Sequence, residues 1–304
     1  MDRIAAIALL ASAATGLNAA DVTFTRDIAA ILYAKCASCH RPGEIAPFSL
    51  ITYADASKRA AMLAQVTASR YMPPWKPEPE HGDFAGARGL DGTEIEKIRR
   101  WASAGAPEGN PVELPSLPAF TSASRLDHAD LTISMPQAFE LPAEGPDLYQ
   151  CFVVPLGLNQ TRYVNAIEFM PGNPKVLHHA LLFTDRSGVA RGKGATYPCF
   201  GAPGFLPGAG LGGWSPGSPP IRMPDGASVA VLKGSDLVLQ LHFHPTGKPE
   251  SAKASVRFQF TDQPPRKRLM DIPLGSRLID IAPGDASYRV RDSFVVPVDV
   301  DAIG

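Results

Sequence analysis

Beyond its first twenty residues, the 304-residue chain has no apolar run approaching the roughly eighteen residues that a membrane-crossing helix needs. The run it does have, Ile4–Ala14, is too short to span a bilayer. It follows Arg3 and precedes the small residues of Gly16-Leu17-Asn18-Ala19-Ala20, so residues 1–20 read as a secretory signal cleaved near Ala20. The expected location is periplasmic or otherwise exported, with no membrane attachment after cleavage; an uncleaved anchor is the alternative. Net charge is scarce too: at −1 the chain carries no field for a polyanion, which argues against a nucleic-acid partner. The basic cluster Arg266-Lys267-Arg268 follows two prolines and reads as a solvated connection. Only four cysteines occur, and no second pair has zinc-ribbon spacing.

Two of those cysteines stand in Cys36-Ala37-Ser38-Cys39-His40. C-x-x-C-H is the attachment signature of a c-type haem: two thiols one short turn apart add to the vinyl groups, and the adjacent imidazole becomes the proximal iron ligand. The other readings are a redox dithiol, which needs no following His, and half of a zinc site, which lacks its other half. For the opposite axial position the candidate is Met72, in Tyr71-Met72-Pro73-Pro74-Trp75, whose prolines forbid a helix and hold the thioether rigidly. Met62 and His81 are its rivals, although Met62 falls in a helical run and is expected to pack inward. The remaining cysteines, Cys151 and Cys199, have a disulfide as their natural reading in an exported chain, with two separate buried thiols as the alternative.

The expected fold is multidomain, a small all-α haem domain followed by antiparallel β domains of sandwich or jelly-roll type. Residues 21–105 read as helical, with helices at Asp27–Ala34, Ala54–Ser69 and Thr93–Ala102; the last opens with a capping-box pattern of Thr93 and Glu96. Residues 106–122, with four prolines, read as an extended linker, and 123–265 as a first β domain. Strands are expected at Leu131–Met135, Tyr149–Leu156, Tyr163–Met170, Val176–Phe183, Ser228–Leu232, Asp236–Phe243 and Ser255–Phe260. A further strand, Tyr288–Val296, falls in 266–304, read as the start of a second β domain. The Gly/Pro-rich stretch Gly201–Pro220 reads as a long surface loop.

Four of the seven histidines lie in two of these strands: His178 and His179 adjacent, His242 and His244 alternating. Period-two geometry puts Leu237, Leu239, Leu241 and Phe243 on one face and Gln240, His242 and His244 on the other. Neighbours in a regular strand point to opposite faces. His178 and His179 therefore share an ion only at a bulge, at a strand end, or through different ring nitrogens; otherwise one is buried and hydrogen-bonded while the other is exposed. His81 and His128 have no assigned role and read as surface residues.

The segments His178-His179-Ala180-Leu181-Leu182-Phe183, Pro220–Gly226 and Leu237–Phe243 together resemble the copper type II, ascorbate-dependent monooxygenases, the group that includes peptidylglycine α-hydroxylating monooxygenase and dopamine β-monooxygenase. The resemblance runs from about Leu131 to the C-terminus, and the haem part looks like a fusion to it. It implies two β domains with one copper each. His178, His179 and His242 match the three imidazoles of the first, electron-relaying copper; His244 has no counterpart in that pattern, and it and Gln240 read as supporting residues or alternative ligands. Imidazoles alone would also accept zinc. The family's second copper, where O2 is activated, uses an H-x-H pair and a methionine, and no His follows His244. The sequence is thus expected to be truncated, or to be a variant keeping only the relay half. The implied cofactors are haem c and copper; the implied partners are an external electron donor, O2 and an organic substrate. The alternatives are a non-catalytic electron-transfer protein with a β docking module, and a jelly-roll enzyme using zinc or iron.

Overall fold

The computed structural model describes residues 22–75, 77, 84, 87–120, 126–267, 269–270, 272, 275–276 and 278–300. The expected signal, residues 1–20, and the rival ligand His81 lie outside the described residues. A small helical part precedes a mostly β part built from antiparallel sheets. No helix among the described residues is long and apolar enough to cross a membrane.

The helical part begins with a π-helical turn, Phe24–Ile28, capped by Thr23 and running straight into α1, Ala29–Lys35. The expected helix over Ala54–Ser69 is broken into α2, Tyr53–Ser57, and α3, Ala60–Ala68. Arg59 leaves the helical conformation at the break (φ −120°, ψ 11°) and lays its guanidinium over the Phe48 ring at 4.3 Å. The buried face of α3 carries Ala60, Leu63 and Thr67, so Met62 is 42% exposed rather than packed inward. In α4, Gly92–Ser103, the capping box is Asp91 with Glu94, not Thr93 with Glu96. Asp91 accepts the Glu94 amide at 2.8 Å and Glu94 accepts the Asp91 amide at 3.0 Å, satisfying both orphan donors two residues earlier than expected. Glu96 instead pairs with Arg99 on the surface.

Phe24, Ile28, Leu32, Leu50, Ile98 and Trp101 form the core of this part. Each such side chain contributes roughly 1.5–3 kcal/mol on burial. The helical part reaches past the expected boundary at residue 105: Ala106 belongs to its core, Pro107 accepts from the Phe24 amide and the Trp101 indole, and Glu108 accepts from the Thr25 amide. The linker stretch that follows carries one 3-10 turn, Pro111–Glu113.

The β part runs β1 (Leu131–Ser134), β2 (Phe139–Leu141), β3 (Leu148–Pro155), β4 (Arg162–Met170), β5 (Leu177–Asp185), a short helix α5 (Val189–Gly192), β6 (Thr196–Pro198), β7 (Ala209–Trp214), β8 (Ile221–Arg222), β9 (Val229–Val231), β10 (Asp236–Phe243), β11 (Glu250–Ala252) and β12 (Ser255–Thr261). One five-stranded sheet has the order β1-β12-β4-β8, with β9 also on β4; the other has β6-β3-β10-β5-β7; β11 and β2 form a ribbon. The inner faces share one core, with Val164, Ile167 and Phe258 from the first sheet meeting Leu182, Leu239, Leu241 and Phe243 from the second.

The stretch Gly201–Pro220 is not all loop, because β7 pairs with β5 along its length. Glycine makes this possible: a Cβ on Gly213 would stand 3.0 Å from the Ala180 carbonyl. The expected strand Tyr288–Val296 is absent, and among the described residues beyond 268 none is in a strand. An alternating segment becomes a strand only where another backbone takes its hydrogen bonds; here Phe294 and Val295 are exposed instead.

On the outer face of the second sheet, Cys151 and Cys199 are joined in a disulfide 48 residues apart, packed against Val153, Ala190, Tyr197 and Val238. Replacing both with serine is expected to cost about 3–4 kcal/mol, from the loop entropy returned to the unfolded chain. Denaturant unfolding measures this, and a wild-type midpoint in the variant would contradict it.

Candidate metal and haem-attachment sites

β10 carries the alternation expected of it: Leu237, Leu239, Leu241 and Phe243 face the core, and Val238, Gln240 and His242 face outward. Opposite His242 on β5 stands His179, but the next pair is Phe243 with Leu177, so His178 is an extra residue at a β-bulge. The bulge turns both adjacent imidazoles to the outer face. His178 Nδ1 and His242 Nδ1 each lie 3.2 Å from His179 Nδ1, and the three rings offer ligand atoms within 4.8 Å of one another. An ion about 2.0 Å from each imidazole nitrogen with tetrahedral angles sets those nitrogens roughly 3.3 Å apart. The donor set therefore fits one bound ion, and three neutral imidazoles without a thiolate suit copper or zinc.

His242 is held from three directions. Its ring stacks on Tyr149 (4.1 Å, 13° between planes), its strand is central in the sheet, and its Nε2 meets Asp147 Oδ2 at 2.7 Å. An Nε2–H donated to the carboxylate leaves Nδ1 as the bare lone pair facing the other two rings. The same carboxylate accepts from His244 Nδ1 at 2.7 Å. His244 thus supports the carboxylate rather than joining the cluster. Gln240 does neither: it is buried, and its amide donates to the Cys199 carbonyl, tying the disulfide to β10. Its alternation is as expected, but its partner is structural.

Asp147 and Tyr149 escaped the sequence reading. Asp147 stands in a Gly-Pro-Asp turn before β3, far from His242 in sequence; only the pairing of β3 with β10, which sets Tyr149 opposite His242, brings it near. Asp147→Ala is expected to weaken metal binding about 10–100-fold. Titration calorimetry with Cu(II) reads this directly, and an unchanged Kd would remove Asp147 from the site.

Burial, with the nearby His242 second, lowers the pKa of both His178 and His179 from the ordinary 6.5. Below 6.5 the unfolded chain then takes up protons that the folded site resists, so stability falls as pH drops through that value. Protons compete for the same nitrogens. Copper retention in dialysis is accordingly expected to hold down to 6.5 and to fail below it, whereas loss setting in well above 6.5 would contradict the depressed values.

In the helical part, Cys36-Ala37-Ser38-Cys39-His40 forms a tight turn off α1, with the Cys39 and His40 amides donating to the Cys36 carbonyl. The two thiols are not bridged. Burial pushes the Cys36 thiol up to about 12, helped by Cys39 and Glu94, and raises Cys39 against the opposing effects of Ser38 and Arg88. A redox-active dithiol needs the opposite, a depressed thiol. His40 Nδ1 lies 3.1 Å from the Phe48 carbonyl, so an Nδ1–H donated there leaves Nε2 as the free ligand atom. Burial lowers the His40 pKa, the Phe48 bond opposes that, and Arg59 adds to it. Two unbridged thiols and an oriented imidazole fit covalent haem. Met72 is half-buried just beyond α3, its amide bonded to the Val66 carbonyl at 3.0 Å. His128 is on the surface, against Gln259.

A scan of protein-family models finds no match to the chain, and no curated protein matches it, so these sites stand on their own residues.

Proposed function

We propose that this chain is an exported electron relay that carries a c-type haem on Cys36, Cys39 and His40, opposed by Met72, and a copper ion on His178, His179 and His242. In this reading it takes electrons from an external donor and serves an O2-dependent copper monooxygenase that hydroxylates an organic substrate, as the resemblance of its β part implies. The observation that carries the reading is the convergence of three Nδ1 atoms on the outer face of a five-stranded sheet, in the same chain as a C-x-x-C-H turn. Haem and copper each supply a one-electron couple.

The chain's residues do the rest. Phe48 fixes the His40 ring, Asp147 fixes the His242 tautomer, and the bulge at His178 aims the third imidazole. Export is part of the reading because both the Cys151–Cys199 bridge and residues 1–20 call for an oxidising compartment.

The test is metal analysis followed by anaerobic mixing. The protein is matured with haem, loaded with Cu(II) and reduced at the haem, and haem reoxidation is followed alongside loss of the Cu(II) resonance. Haem and copper in equal amounts with matched signals support the relay. Haem without metal favours a docking module instead, and zinc or iron in place of copper overturns the copper relay in favour of a jelly-roll enzyme with another metal. A ferric spectrum without a sulfur-to-iron band would remove Met72 from the axial position.

A further inference from the structure

Immediately after β7 the chain makes a tight turn, Ser215-Pro216-Gly217-Ser218. The Ser218 amide donates to the Ser215 carbonyl at 2.9 Å, Pro216 stands at the second position, and Gly217 has φ +82°, the pattern of a type II turn. The tip of this turn meets the C-x-x-C-H segment. The Pro216 carbonyl accepts from Arg88 Nη1 at 3.0 Å and lies 4.0 Å from Cys39 Sγ, while a Cβ on Gly217 would come within 3.2 Å of both Ser38 Oγ and Arg88 Nη1. The same end of β7 runs beside the strand of the histidine cluster: Trp214, next to Ser215, pairs with Ala180 on β5, one residue beyond His179. The turn and the last residue of β7 therefore bridge from the C-x-x-C-H segment to the strand that bears His178 and His179.

We propose that the Ser215–Ser218 turn is a fixed docking contact joining the haem-attachment segment to the strand that bears His178 and His179, and that the electron travels through this turn and Trp214 to β5. The inference rests on the relay function above. With a haem in place, Cys39 Sγ is a thioether and donates nothing, so its contact with Pro216 is van der Waals and the Arg88 hydrogen bond carries the docking. The path from Pro216 to Trp214 is two residues, at most about 7 Å. A cross-strand step of about 4.8 Å reaches Ala180, and one peptide reaches His179. With both groups bound, the step would be a single electron passed from ferrous haem to Cu(II), with no proton moved and no bond broken, and an external one-electron donor would restore the haem.

Arg88 is not one of the residues assigned to hold either group, and its hydrogen bond goes to the Pro216 carbonyl, which makes Arg88→Ala the informative variant of the haem- and copper-loaded chain. Hydrogen exchange in residues 215–218, read by mass spectrometry, reports docking independently of electron flow. Haem reoxidation by bound Cu(II), followed anaerobically, reports the path. In Arg88→Ala, exchange in the turn is expected to quicken and reoxidation to slow roughly tenfold, the worth of one charge-assisted hydrogen bond. Arg88→Lys should recover part of both, and Gly217→Val, which puts a side chain against Ser38 on a left-handed backbone, should repeat the loss. Unchanged exchange in Arg88→Ala would overturn the docking contact. Faster exchange with unchanged reoxidation would overturn the path while leaving the relay standing. A wild type whose turn is protected but whose haem never reduces its copper would overturn the relay and the path with it.

Discussion

His242→Ala is expected to strip the chain of most of its copper, more than the about 10–100-fold loss expected for its supporting carboxylate. The residue combines three roles that no neighbour duplicates. It supplies one of three nitrogens, it is the buried member of the cluster at 6% exposure, and it alone is clamped by both Tyr149 and Asp147. Its removal leaves His178 and His179 as a two-nitrogen site on a bulge, with the Asp147 carboxylate turned to His244 alone. Because a buried side chain is being deleted, the melting temperature must be followed beside the copper content. His178→Ala is the control, since His178 is exposed and its loss should cost copper without costing fold. His244→Ala is expected to cost little. Copper held undiminished by a folded His242→Ala protein would mean that the ion sits elsewhere.

The second large effect concerns the haem. In the Cys36→Ala/Cys39→Ala protein, haem is expected to leave completely on acid-acetone extraction, because two thioethers are the only covalent tether. Either single variant should retain it less firmly than the wild type. The structure sharpens the test. Cys36 packs at the edge of the helical core while Cys39 faces the Pro216 turn, so the double substitution removes two small side chains and leaves His40 oriented by Phe48. Folding should therefore survive, and circular dichroism checks this. Haem that stays bound through extraction in the double variant would refute the attachment.

Much of the β part was legible because burial of one face enforces alternation. β10 was readable to the residue, and β3, β4, β5 and β12 to within two, since their apolar residues fall on the face that meets the other sheet. β7 was not, because Ala209-Gly210-Leu211-Gly212-Gly213-Trp214 has too few side chains to alternate; its strand character comes from lying along β5. Tyr288–Val296 failed in the opposite sense: its pattern suits a strand, but a pattern supplies no partner. In the helical part, Asp91-x-x-Glu94 and Thr93-x-x-Glu96 are both capping patterns within three residues, and local sequence does not choose between them. The histidine cluster was visible as residue types, and the pleat left a bulge, a strand end or different ring nitrogens as the ways to join adjacent imidazoles; the bulge is the one observed. Asp147 was invisible, because nothing local marks a carboxylate that the fold delivers from 95 residues away.

The bulge on β5 also bears on how such a centre can arise. With His178 taken out, the pairs Leu177 with Phe243 and His179 with His242 would follow one another in unbroken register. A regular sheet of that kind already presents two imidazoles on one face. Inserting a single histidine adds the third and leaves Leu177 and Ala180 where they pack. A three-imidazole cluster is therefore one codon away from an ordinary pair of strands, and as easily lost.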